Sequence, residues 1–540
     1  MPATSPQTAI HPRWILTAVV LASGIVFLDS TIVNVALPHI ALDLPTSVLG
    51  TLEAQAYVTS GYLATLAASL ILAGALADRY GRRRVFVTGL VAFGATSALC
   101  GLAPTMELLV VFRLLQGVAG ALLVPGPLSI ITATFEGAER ARAIGLWSAA
   151  TAALTILGPL AGGLVVDSLS WRVAFLVNVP LVLVALYAAV RYVPESRNED
   201  APRRLDWLGS VVIAIAVGGI SFGLIRGQEQ RWADPTAFLV LGIGIVAAIA
   251  FPILMVTRRD PLVPPALFRN RSFTVINAST FLIYGALYIS AFLQSVFLQG
   301  VLGYSALGAA AVSLPGGILL TLFSTRVGVM AARLGARRFL VLGPALMAAG
   351  MAWFSRIPAT SLPWRPDLGS GIALPPADAL TDVLPAVLLF GIGLTLVVAP
   401  LTTTLMGSIP VGNAGLGAAI NNAVSRVGQP LLLALIYLAI SAVFYGSLAD
   451  AVPGLDTGSE AVRSMIQPLN PPPTGTDPVT ASAVTQASTD AFRLAILMVA
   501  GLLVAGAVVN GLGLRGGPAG APSATQPPAD QPGDGLGAAA

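Results

Sequence analysis

The chain has 540 residues, 56% hydrophobic and only 10% charged, with 29 basic and 25 acidic side chains, a mean hydropathy of +0.83 and a pI near 9.4. Soluble globular proteins carry about 25% charged residues, so this composition excludes a soluble enzyme, a nucleic-acid binder and a disordered scaffold, and points to an integral membrane protein. All 29 basic residues are arginine, which removes the lysine of a Walker-type phosphate loop and any Schiff-base lysine. The single cysteine, Cys100, rules out an intrachain disulfide, and His11 and His39 make a poor metal site. No metal and no cofactor are expected.

Met1–Arg13 reads as a short polar head with no cleavable signal peptide, because the apolar run from Trp14 is long enough to stay as a span. A helical span needs roughly 20 apolar residues. Spans fall at about 14–37, 51–76, 85–103, 107–132, 143–166, 172–193, 206–225, 236–257, 273–299, 305–326, 339–355, 383–407, 415–446 and 490–514. The fold class is therefore an all-α membrane protein with fourteen transmembrane helices, and an even number puts both termini on one side. With the N-terminus cytoplasmic, 20 arginines fall inside. Seven fall outside (Arg172, Arg226, Arg231, Arg356, Arg365, Arg463, Arg493), and Arg113 and Arg426 lie within spans. The positive-inside rule supports this orientation. Stretches 356–382 and 447–489 read as long outer loops rich in Pro, Asp, Ser and Thr, and residues 515–540 as a disordered cytoplasmic tail.

Two internal echoes suggest repeated halves. Asp78-Arg79-Tyr80-Gly81-Arg82-Arg83 follows span two, and Ala332-Arg333-Leu334-Gly335-Ala336-Arg337 follows span ten. Gly145 precedes Gly158-Pro159 by thirteen residues in span five, and Gly415 precedes Gly428-Gln429-Pro430 by thirteen in span thirteen. Both offsets are eight spans. The expected organisation is a cytoplasmic segment 1–13, a six-helix bundle 14–193, a linker 194–272 carrying two extra transmembrane helices, a six-helix bundle 273–514 and the tail.

Asp29 is the only carboxylate deep in any span, and such a charge is functional by default, facing a cavity or an ion partner. Arg113 lies at similar depth by the ~1.5 Å helical rise, so the two are expected to pair, with Gln116 one turn on to share the network; a static structural pair is the alternative. Arg426 sits mid-depth in span thirteen with no acidic partner in the spans after residue 273, leaving Asp29, a carbonyl, water or an anionic substrate group to face it. Ser30, Thr31 and Asn34 cluster on one side of span one and either line the pathway or, for the hydroxyls, bond to their own helix. Glu53, one turn from the outer interface, is either simply solvated or part of a substrate site; His39 reads as interfacial.

The stretches Leu28-Asp29-Ser30-Thr31-Ile32-Val33-Asn34, Gly74-Ala75-Leu76-Ala77-Asp78-Arg79-Tyr80-Gly81-Arg82-Arg83-Arg84, Arg113-Leu114-Leu115-Gln116-Gly117 and Gly158-Pro159-Leu160-Ala161-Gly162-Gly163, with Trp171-Arg172, Phe175, Asn178 and Pro180 in span six, resemble the major facilitator superfamily and, within it, the fourteen-span drug:H+ antiporter family. One departure is that Tyr57 and Ser60 stand where relatives often carry Trp or an acid early in span two. The resemblance implies several roles. Asp29 and Arg113 would couple protons; Asn34, Gln116, Arg426 and Glu53 would line the substrate cavity; Asp78, Arg79, Gly81, Arg82 and Arg83 would form a conformational latch; and Gly158, Pro159, Gly162 and Gly163 would make an antiporter-type helix contact. The implied activity is non-enzymatic: proton-coupled efflux of amphipathic compounds across the cell membrane by a multi-pass monomer. Its partners would be small substrates, protons and membrane lipid. A dedicated exporter of a lipid or secondary metabolite, a passive channel and a non-transporting receptor or scaffold are the rivals.

Overall fold

A backbone crossing hydrocarbon has to satisfy its own N–H and C=O groups, and a helix does so within one segment. In the computed structural model, which describes residues 11–197, 206–230, 232–366, 374–409 and 414–514, the described residues form α-helices with short 3₁₀ and π turns and no strand. Most of the expected N-terminal segment, residues 198–205 of the expected linker and the expected tail lie outside the described residues. The helices are α1 (Pro12–Asp43), α2 (Thr51–Tyr80), α3 (Arg82–Gly101), α4 (Met106–Leu123), α5 (Gly126–Thr134), α6 (Gly137–Ser168), α7 (Trp171–Leu176), α8 (Asn178–Tyr192), α9 (Trp207–Glu229), α10 (Pro235–Thr257), α11 (Arg271–Val296), α12 (Ala306–Val312), α13 (Leu314–Leu334), α14 (Ala336–Phe354), α15 (Leu384–Gly407), α16 (Ala414–Ala451), α17 (Glu460–Met465) and α18 (Pro478–Gly513).

Twelve of the segments so built, among the described residues, are long and apolar enough to cross a membrane. The other two expected spans fall on α6, whose described apolar stretch is Leu157–Ser168, and on α14, which opens on Arg337 and Arg338. Three spans are broken helices, interrupted at Val124-Pro125, at Val177 and at Ser313. The last expected span starts twelve residues too late. Asp477 caps α18 by accepting from the N–H groups of Val479 and Thr480, with Pro478 at the first position. The polar first turns of α18 therefore project beyond the apolar part, and α17 breaks up what was expected to be a loop. Polar caps recur where chains enter the membrane, as at Asp234. The Thr236 hydroxyl and N–H both donate to its carboxylate and hold it below the usual carboxylate range.

Both internal echoes have matching geometry. Gly81 and Gly335 each end one helix and start the next with φ of +111° and +90°, a conformation that side chains with a Cβ rarely adopt. Gly158 of α6 packs on Leu28 and Thr31 of α1, while Gly428 of α16 packs on Phe281 and Gly285 of α11. In both cases the spans four apart approach closely, backbone to backbone at Gly428 and against the Thr31 side chain at Gly158. Elsewhere α1 packs on α8, α2 on α4, and α3 on α4 and α8; α11 packs on α18, and α14 on α15 and α18. The hairpin α9–α10 stands outside these groups, with α9 against both α2 and α16.

Hydrogen bonds joining α1–α8 to α11–α18 gather at the end of the bundle that carries Asp167. The Asp167 carboxylate accepts from the N–H groups of Ala306 and Leu307 at 3.0 and 2.8 Å, the first turn of α12. This is anion capture at a helix N-terminus. Ser295 Oγ donates to the Asn34 carbonyl and Gln299 Nε2 to the Val35 carbonyl. Helix α9 adds to the seam: Arg226 donates to the Val48 carbonyl, Tyr57 Oη to the Phe222 carbonyl, and Tyr437 Oη to Glu229. This end of the molecule is shut. The opposite end carries Asp78.

Candidate functional site

Asp29 lies midway along α1 and is completely buried (0% exposed), as is Arg113 (1%) two turns into α4. Arg113 Nη1 donates to Asp29 Oδ2 at 2.6 Å, Gln116 Nε2 to Asp29 Oδ1 at 3.0 Å, and Asn178 Nδ2 to the same oxygen at 3.1 Å. Arg113 also donates to Gln116 Oε1 at 2.7 Å and through Nε to the Val58 carbonyl at 3.1 Å, and its guanidinium stacks 4.1 Å from the Tyr62 ring centre. A buried ion pair is tolerable only when such additional bonds satisfy both ions, and here α2, α4 and α8 supply them.

Asn178 is the member that sequence reasoning did not assign to the site. The break at Val177 makes Asn178 the first residue of α8, and just before it the Phe175 carbonyl accepts from Ser97 Oγ. Ser97 Oγ in turn accepts from Asn178 Nδ2 at 3.0 Å. The amide is thereby shared between Asp29 and Ser97. Removing it in Asn178→Ala deprives a buried carboxylate of one donor, so we expect a stability loss of about 1–3 kcal/mol, read as a lower unfolding temperature of the purified protein. An unchanged unfolding temperature would mean that this bond carries no energy.

Beside the cluster, one turn along α1, lies a cavity of about 240 Å³. Thr31 and Asn34 of α1 and Pro159 of α6 form one wall. Residues such as Gln294, Ser313, Met351, Phe354 and Phe390 form the other. Among the described residues, the cavity wall has hydroxyls and amides but no charged side chain. Thr31 and Ser30 nonetheless bond carbonyls of their own helix, so both readings of these hydroxyls hold for Thr31.

Of the four residues expected in the cavity, only Asn34 lines it. Gln116 is held in the Asp29 cluster. Arg426 donates to the carbonyl and the side-chain oxygen of Asn422, one turn back on its own helix. Glu53 is neither solvated nor in the cavity: it is 0% exposed, accepts from Gly50 N–H in the first turn of α2 and pairs with Arg226 of α9 at 3.4 Å. The reason is that α9 packs over that turn. Tyr57, at the departure from the family pattern, stacks on Phe222 of the same helix. His39 approaches Asp167 at 4.0 Å at the shut end.

The structure brings Asp78 and Arg82 together at 3.1 Å. Arg82 also reaches the Ser129 carbonyl at 3.5 Å, Arg83 donates to the Val190 carbonyl at 2.7 Å, and Arg79 lies over the Tyr80 ring. Glu195, unassigned from the sequence, accepts from Arg83 N–H and lies 3.8 Å from Arg84. These contacts tie the α2–α3 turn at Gly81 to α5 and to the strap after α8. At the shut end Gly162 abuts Ile32 of α1. Gly163 faces across the seam: a Cβ there would meet the Leu307 Cα at 2.7 Å and the Ala306 carbonyl at 2.8 Å.

With this geometry in view, the sequence profile of the Major Facilitator Superfamily matches residues 19–433. A tetracenomycin C resistance and export protein of Streptomyces glaucescens is 33% identical over 79% of this chain and 76% of its own. A puromycin resistance protein of Streptomyces alboniger is 32% identical over 81% and 83%, and a multidrug transporter of Bacillus subtilis 30% identical over 67% of each. Among solved structures, a bacterial homologue of the human lysosomal transporter Spinster in an inward-facing conformation superposes with a TM-score of 0.59 at 17% identity, covering 95% of this chain and 98% of that one. A peptide transporter of the POT family superposes with a TM-score of 0.61 at 14% identity over 93% and 97%. At these identities the structural likeness speaks for the fold alone.

Proposed function

The chain belongs to the Major Facilitator Superfamily, and from that premise we propose that it exports amphipathic drugs or toxic compounds across the cytoplasmic membrane in exchange for protons. The observation that carries the reading is the position of Asp29. Its carboxylate holds donors from α4 and α8, while Thr31 and Asn34, on the next turn of the same helix, line the cavity. Protonation removes the charge to which Arg113, Gln116 and Asn178 are bonded, so it releases α1 and with it one wall of the cavity. Substrate and proton thus act on one element, which is what coupling requires. An uncharged, largely apolar wall suits lipophilic substrates of varied shape.

The same reading takes the chain as fourteen spans with α6 and α14 included, two six-helix halves (14–193 and 273–514) and the inserted α9–α10 pair. The Asp78 end faces the cytoplasm, as its arginines favour, and the shut Asp167 end faces outward. The two halves rock about the cavity, as a monomer, with the Asp78 loop as latch and the α6 glycines as the sliding contact. A dedicated exporter of one secondary metabolite is the second reading, favoured by relatives named for resistance to a single antibiotic.

The test is reconstitution in liposomes with a pH-sensitive dye inside. Adding ethidium, tetracenomycin C or puromycin is expected to move protons in the direction opposite to substrate, and an imposed pH gradient is expected to drive accumulation. Substrate movement that ignores the gradient would overturn proton coupling. Response to one antibiotic alone would select the dedicated exporter.

A further inference from the structure

The turn after α13 is the counterpart of the Asp78 loop, but its charges are not balanced in the same way. In the first half, Asp78 and Glu195 answer Arg82 and Arg84. In the second, Ala332 stands where Asp78 would, and Arg333, Arg337 and Arg338 have no carboxylate within ion-pair distance among the described residues. All three arginines are exposed. They rim a groove of about 1100 Å³ between α14 and α18, whose floor and walls are Val341, Leu342, Ala345, Val504, Val508 and Leu512. Val504, Val508, Leu342 and Leu512 are exposed large apolar side chains. The two helices that flank the groove are joined by Asn510 Nδ2, which donates to the Leu340 carbonyl at 2.9 Å.

We propose that this groove binds an anionic phospholipid of the leaflet at the Asp78 end, its phosphate held by Arg333, Arg337 and Arg338 and an acyl chain laid along α14 and α18. The argument is charge complementarity joined to an apolar trough. Guanidinium groups bind phosphate oxygens in bidentate fashion, and a basic cluster at the ends of membrane helices draws anionic headgroups. The headgroup supplies the counter-charge that the missing aspartate does not. A lipid there bears on the second half alone, so leaflet charge would bias the two halves unequally.

The test uses the full-length protein in nanodiscs of phosphatidylcholine containing one-tenth phosphatidylglycerol, with the lipid retained per protein counted by mass spectrometry after transfer to detergent. Wild type is expected to retain phosphatidylglycerol at least ~5-fold over its share in the disc, a difference of about 1 kcal/mol by the conversion of 1.4 kcal/mol per tenfold. The triple variant Arg333→Gln/Arg337→Gln/Arg338→Gln is expected to retain it at the disc ratio. The corresponding triple lysine variant, which keeps the charge, is expected to retain part of the enrichment, and Val508→Trp, which fills the trough and leaves the arginines, to lower it. Equal retention by wild type and the glutamine variant would overturn the proposal. So would displacement of the lipid by millimolar inorganic phosphate, which would make this a simple anion site. Enrichment seen only after removal of residues 515–540 would assign the groove to the tail instead.

Discussion

Asp29→Asn is expected to reduce gradient-driven accumulation in proteoliposomes to background and, separately, to destabilise the protein. The two effects have different origins. Loss of accumulation follows from removing the group proposed to exchange a proton beside the cavity. Loss of stability follows from leaving the Arg113 guanidinium, 1% exposed, without its counter-charge. Breaking a buried pair from one side costs about 3–5 kcal/mol, whereas replacing both partners by well-packed hydrophobic side chains of similar volume is often close to neutral. Asp29→Leu/Arg113→Met is therefore expected to recover most of the unfolding temperature and none of the gradient-driven transport. If the double variant recovered both, Asp29 would be a structural ion and the coupling site would lie elsewhere. If neither variant changed transport, the proposed mechanism would be wrong at its centre.

The second large effect is expected at the shut end. In Gly163→Val, the new Cβ would sit 2.7 Å from the Leu307 Cα, and backbone rather than a flexible side chain is what it strikes. Overpacking of this kind costs about 1–3 kcal/mol or more, which shifts the balance between shut and open by roughly 5–150-fold at 1.4 kcal/mol per tenfold. The shut state is expected to be lost. A cysteine placed at Ala306, 0% exposed in this seam, then becomes more reactive to a membrane-impermeant maleimide, and turnover falls with it. Gly74→Ala is the control, because a Cβ there meets nothing within 4 Å. A Gly163→Val protein with wild-type turnover would show that α6 and α12 do not need to touch during the cycle.

Much of the Asp29 cluster was legible in the sequence because depth along a helix follows from counting residues. Asp29 and Arg113 fall at similar depth, and Gln116 follows Arg113 by one turn. Asn178 was not legible as a ligand, since its amide reaches Asp29 only because the helix breaks at Val177, which leaves no mark of charge or periodicity. Glu53 was misplaced for a related reason: its distance from the span end is readable, but the helix that covers it, α9, starts more than 150 residues later. For Arg426 a carbonyl was among the possible partners, and the one it meets is that of Asn422 on the preceding turn, with the Asn422 side-chain oxygen beside it. The apolar run of α18 begins later than the helix itself, so apolar content marks the span and the cap marks the helix. Asp477-Pro478 marked the true start, and the residues from Thr480 to Arg493 are too polar to be read as a span.

The inserted hairpin adds an asymmetry to the cycle. Helix α9 is bonded to the first half through Arg226 with Val48 and Glu53 and through Tyr57 with Phe222, and to the second half through Glu229 with Tyr437 and Gln467. When the halves part at this end, one set of bonds has to yield. The set to the first half includes an ion pair that is 0% exposed on the carboxylate side. The set to the second half rests on a single carboxylate that already borders a polar cleft lined by Thr46, Ser47, Glu460 and Arg463. Water replaces the bonds of Glu229 at little cost, and those of Glu53 only at the cost of unpacking α2. In the proposed cycle the hairpin would therefore travel with the first half, and parting at this end would break the bonds that Tyr437 and Gln467 make to Glu229 at the tip of α9 together with those of Asp167, Ser295 and Gln299.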